Sequence, residues 1–117
     1  MIADSRFSMA QVIELNDDNF EQMVLKSSLP VLVDFCAERC TPCRMLAPIV
    51  EKLAGEYDGR ITFSKLNVEQ GRNAATRYGV RSIPTLLFFS GGKPMRQFVG
   101  FTSEKDLKRN LDEALQG

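Results

Sequence analysis

Histidine and tryptophan are both missing from the 117 residues, and fifteen basic side chains are cancelled by fifteen acidic ones. Without histidine there is no imidazole to serve as general base or metal ligand. Without a basic surplus there is no electrostatic case for nucleic acid, which needs a net or local excess of lysine and arginine. No run of 18 apolar residues is present, so no segment reads as a membrane span. The opening "MIADSRFSMA" lacks a basic stretch followed by an apolar one, and so does not read as a secretory signal. The expectation is a cytoplasmic protein, in which a close cysteine pair is catalytic or metal-binding more often than structural. What remains is a chain 44% hydrophobic and long enough to bury the core of one domain.

No repeat or Gly/Ser linker breaks the chain, so residues 1–9 read as a short extension and 10–117 as a single domain. "AQVIEL" (10–15) reads as a strand, and "NDDNFEQMVLKS" as a helix capped within Asn16–Asp18. "PVLVDFCA" (30–37) is a nearly continuous apolar run, the pattern of a central strand covered on both faces. From "CTPCRM" to Tyr57, the positions of Leu46, Ile49, Val50 and Leu53 follow helical spacing, with Pro48 inside as a source of a kink. "RITFSKLNV" (60–68) reads as an alternating strand and "GRNAATRYG" as a short helix ended by Gly79. "IPTLLFFS" and "KPMRQFVGF" read as a hairpin through Gly91–Gly92. "TSEKDLKRNLDEAL" is a closing helix capped by Thr102 or Ser103, with Leu107, Leu111, Ala114 and Leu115 inward. The order β-α-β-α-β-α-β-β-α implies an α/β fold with a central mixed sheet. Strands separated by helices should pair in parallel, and the final hairpin should add antiparallel strands.

All three cysteines lie within "DFCAERCTPC", residues 34–43. Cys40 and Cys43, three apart at a helix start, share one face and can reach bonding distance. The positive end of the helix favours a thiolate at Cys40, which can attack a disulfide that the second thiol then resolves. Cys36, on the strand, reads as a small packed side chain. Taken together the three spell C-x3-C-x2-C, a spacing similar to the cluster motif of radical S-adenosylmethionine enzymes. The chain is too short for that family's barrel, and three thiolates without histidine leave zinc one protein ligand short. Asp34 is an anomaly within "VLVDFCA", because a buried carboxylate is costly unless protonated, bonded or paired. It can lie beneath the cysteines and exchange a proton with Cys43. Lys65 on "ITFSKLNV" is the candidate charge partner, placed inward; the bland alternative is a strand lysine facing water.

"VLVDF", "CTPCRMLAP", "KLNVEQ", "YGVRSIPTLLFF" and "FVG" stand in the order and spacing of the thioredoxin family, which the chain resembles from about residue 10 to 115. The resemblance implies the thioredoxin fold, with helices on both faces of the sheet. It implies a thiol–disulfide oxidoreductase that reduces protein disulfides, is recharged by a thioredoxin reductase of unknown type, works as a monomer and needs no cofactor. Cys40 would be the nucleophile, Cys43 the resolving thiol and Asp34 the acid handling its proton. Pro84 would be a cis-proline after Ile83, facing the disulfide, and Gly100 would complete the docking surface. Two departures concern tuning: Arg39 and Thr41 flank Cys40, with Pro42 retained, where the family usually has Trp-Cys-Gly-Pro-Cys. Cys36 also stands where another tryptophan is usual. Arg39 adds a charge and β-branched Thr41 stiffens the loop. A non-catalytic adaptor of the same fold is the rival reading, although binding alone does not need both sulfurs.

Overall fold

The computed structural model describes residues 12–116. Five strands form one sheet in the order β1-β3-β2-β4-β5: β1 Ile13–Leu15, β2 Val31–Cys36, β3 Thr62–Asn67, β4 Thr85–Ser90 and β5 Lys93–Val99. The helices are α1 Thr41–Glu56, α2 Arg72–Arg77 and α3 Glu104–Gln116. The α/β order expected from the sequence is the observed one. The domain limit expected at residue 10, like the start of the first strand, lies outside the described residues.

β2 is the central strand, and the reason is in its composition. Val31, Val33 and Phe35 point to one side, against Phe20, Val24, Ala74 and Ala75. Leu32 points to the other, against Leu46, Val50, Leu53, Leu107 and Leu111. Helices therefore cover both faces, with α1 and α3 on one and α2 on the other. β3 is likewise covered twice and does not alternate as the sequence suggests: Ser64 is buried beside Phe63, its hydroxyl donating to the Leu32 carbonyl at 2.9 Å. That bond offsets the cost of desolvating the hydroxyl.

Two expectations about elements change. The helix expected from Asn16 to Ser27 is a single π-type turn, Glu21–Leu25. Asn16 and Asn19 spend their side chains on each other's backbone N–H groups, at 2.8 and 3.0 Å, which favours a turn over a longer helix. Second, β4 runs antiparallel to β2, although a helix separates it from β3. α2 is six residues long and rises only about 9 Å, less than half the length of a six-residue strand. The pairing register, Cys36 with Asn67 and Phe35 with Thr85, shows the chain entering β4 at the end where it left β3, which brings Pro84 to the end of β2 that leads into the cysteine loop.

Gly91 and Gly92 join β4 to β5 with φ of 62° and 80°, the left-handed pair that a two-residue hairpin requires. A side chain at Gly92 would also meet the Leu25 carbonyl oxygen at 2.8 Å. α3 begins at Ser103, whose hydroxyl accepts from the Asp106 N–H at 3.1 Å; this selects Ser103 over Thr102 as the cap.

Candidate active site

α1 opens at the carboxyl end of β2 and places both cysteines there. Cys40 is its N-cap, in extended conformation, and its sulfur accepts the Cys43 N–H at 3.2 Å. Thr41 and Pro42 occupy the first helical positions, where proline's missing donor costs nothing. Cys40 and Cys43 are joined in a disulfide with Cα atoms 5.1 Å apart, inside the usual range. Cys40 is partly exposed, whereas Cys43 is buried at 5%. The asymmetry lets an outside disulfide meet one sulfur and not the other. Arg44 clamps the loop, its guanidinium donating twice to the Glu38 carbonyl, at 3.1 and 3.3 Å. Arg39, Thr41 and Pro42 are all exposed.

Asp34 lines one cavity with Cys43, is 4% exposed, and its Oδ1 has no hydrogen-bond partner among the described residues. Burial pushes its carboxyl up to about 7, against the opposing pull of the Lys65 ammonium. The pairing register places Lys65 beside Asp34 on one side and Glu14 on the other. Lys65 is not inward, however. Its side chain is 45% exposed and its Nζ sits 3.6 Å from Glu14. An ammonium on a flexible stem reaches water from that edge position, and burying it would cost more than the ion pair returns. It acts on Asp34 from the rim.

Glu14 was not among the residues the sequence singled out, since strand register is invisible in the pattern. Asp34, Cys36, Cys43, Lys65 and Glu14 all line one cavity of about 430 Å³. Within it Cys36 is half-buried, its thiol 3.8 Å from the Leu66 carbonyl. Burial first, and then the Asp34 carboxylate, push that thiol up to about 11, so it stays protonated and unreactive. Among the described residues no three His, Cys, Asp or Glu side chains are grouped to hold a metal ion.

The sheet brings the remaining candidates to the same edge. Phe35, Thr85 and Val99 are paired across β2, β4 and β5, so the next residues outward are Cys36, Pro84 and Gly100. The Ile83–Pro84 bond is cis. The Gly100 N–H donates to the Pro84 carbonyl at 2.8 Å, with φ of 89° at Gly100. Ile83 is half-buried, while Val99 and Phe101 beside it on the chain's return are 62% and 46% exposed. A cysteine pair at a helix N-terminus, a buried acid sharing a cavity with one of its sulfurs and exposed apolar side chains at the same end of the sheet define a thiol–disulfide exchange protein built on an α/β sheet.

The comparisons agree. A sequence model of the thioredoxin family matches residues 11–113. A thioredoxin of Buchnera aphidicola is 47% identical over 105 residues, covering 90% of this chain and 97% of that one. Thioredoxin 2 of Chlorobaculum tepidum is 46% identical over 86% of this chain and 92% of its own. Thioredoxin 1 of Nostoc is 42% identical over 92% of this chain and 100% of its own. The chain belongs to the thioredoxin family.

Proposed function

We propose that the protein reduces protein disulfides by dithiol–disulfide exchange, with Cys40 as nucleophile, Cys43 as resolving thiol and Asp34 as proton acceptor. The observation that carries this is the asymmetric pair at the start of α1, one sulfur reachable and the other buried and sharing a cavity lining with the Asp34 carboxyl group. In the reduced protein the Cys40 thiolate keeps the Cys43 N–H and the helix end as partners. It attacks a substrate sulfur, the substrate S–S bond breaks, and one substrate thiolate leaves. Cys43 then gives its proton to Asp34 and attacks the Cys40 sulfur. The second substrate thiolate leaves, and the protein is oxidised by two electrons. A thioredoxin reductase returns those electrons. The electrons reside on the sulfurs, so the step draws on no cofactor.

An extended stretch of substrate would lie along Ile83 and Gly100 and over the buried Pro84, just beyond the start of β4. Lys65, Arg39, Thr41 and Pro42 tune the pair from its edges. Among the described residues no helix is long and apolar enough to cross a membrane. We place the work in a reducing compartment such as the cytoplasm, where the Cys36 thiol survives; two relatives named thioredoxin M-type are chloroplastic.

Trapping separates the two sulfurs. Cys43→Ser should accumulate mixed disulfides with substrates, seen as higher bands on non-reducing gels, while Cys40→Ser accumulates almost none. Equal trapping by both variants would overturn the assignment.

A further inference from the structure

The cavity under the cysteine loop runs from buried groups to exposed ones. Asp34 and Cys43 are at its closed end, Cys36, Ala47 and Asn67 are half-buried, and Glu14, Glu38 and Lys65 are exposed at its mouth. At about 430 Å³ it has room for several water molecules, each of which takes about 30 Å³ in the liquid. It also has a reason to hold them. The Oδ1 of Asp34 is nine-tenths buried, finds no donor in the described protein and belongs to the cavity wall. A buried polar atom of this kind is satisfied by water. A proton given to Asp34 by Cys43 needs a way out, and substrate docked around Ile83, Pro84 and Gly100 covers the upper face.

We propose that this cavity is a hydrated side port through which Asp34 exchanges its proton with solvent while substrate covers the Cys40 face, and that the small Cys36 side chain keeps it open. The proton passes from the Cys43 thiol to the Asp34 carboxylate, and from there to water in the cavity. No electrons move in this step. Cys36 contributes by its size and not by its thiol, which burial and Asp34 keep protonated. Asp34 faces Cys36 on its own strand, Lys65 on β3 with Glu14 behind it on β1, and Cys43 and Arg44 on α1. Glu38 faces it from the loop, while β4 offers only Leu86.

The inference rests on Asp34 being the acceptor, and its test separates the two. Cys36→Leu and Ala47→Leu narrow the port from opposite walls; Cys36→Ser removes the thiol and leaves the space. Two quantities are read: the Asp34 carboxyl titration by NMR in the oxidised protein, and the pH profile of the resolution step. Either filling variant should move the Asp34 midpoint up by about half a unit to one unit, because water leaves the carboxylate. At pH 6 that lowers the ionised fraction, and with it the resolution rate, about three- to tenfold. Cys36→Ser should match the wild type. A folded filling variant with unmoved titration and profile would overturn the port, as would Cys36→Ser reproducing the filling effect. Asp34→Asn with unchanged resolution would overturn the acceptor itself, and the titration shift is read without turnover.

Discussion

Asp34 shows what one misplaced-looking residue costs and returns. Its carboxyl sits at about 7 in the folded protein, chiefly because burial penalises the charge, against 3.8 ordinarily. The folded state therefore holds a proton that the unfolded chain releases between about pH 4 and pH 7, and stability falls as pH rises through that window. Asp34→Asn should be more stable than the wild type at pH 8, on the order of 2–4 kcal/mol at most, with the gain fading as pH falls from about 7 and largely gone by pH 4. Denaturant titrations at the two pH values check this, and a gain that persists at pH 4 would refute it. The same variant should resolve mixed disulfides more slowly at neutral pH, because Cys43 has lost its acceptor. Arg39 presents a smaller case. It is exposed beside Cys40, so its charge favours the thiolate only weakly and through screening water. Arg39→Trp should shift the alkylation profile of the reduced protein slightly upward in pH and make it less salt-dependent. Identical profiles for both proteins at low and high salt would make Arg39 a merely solvated side chain.

Elements here are held by partners far away in sequence. α2 is only six residues long, too short to persist alone, and its first donors are met from outside. The Asp17 carboxylate accepts the N–H groups of Asn73 and Ala74, both at 3.1 Å. A carboxylate at a helix N-terminus gains from the dipole as well as from the bonds. Asp17→Ala should cost about 1 kcal/mol of stability, as a lost cap does. The measurement is urea unfolding at pH 7; a change within about 0.3 kcal/mol would show the cap to be idle. α1 and α3 are tied by Lys52–Glu104 and Lys108–Glu56 at 2.7 and 2.9 Å, exposed pairs that add little each. Their register instead comes from Leu46, Val50, Leu53, Leu107 and Leu111, all buried.

Across the molecule, one end of the sheet does the chemistry and the edges are guarded. β5 is an edge strand, yet Pro94, Lys93 and Arg96 stand on it and a register shift breaks its ladder near Phe88–Phe89. Proline and charge on an edge discourage pairing with a second copy. We expect a monomer of 13.1 kDa by sedimentation equilibrium. A dimer at micromolar concentration would refute this.

Much of this was written locally. Burial on both faces was legible for β2 because "VLVDFC" is apolar on both sides of the strand but for Asp34, and α1 and α3 because leucine spacing repeats with the helical turn. Cys40 and Cys43 were legible as a pair because one helical turn separates them, whatever the rest of the chain does. Tertiary structure alone decided the rest. It reversed β4, which starts with Thr85 paired to Phe35 at the end of the sheet where β3 finishes, an orientation that the local pattern of the connection does not encode. It left Lys65 at the rim beside Glu14, since strand register is set by packing across three strands and leaves no mark in any of them singly. It also gathered Asp34, Cys36 and Cys43 around one cavity, and that arrangement depends on how far β2 and α1 stand apart, a distance no periodicity encodes.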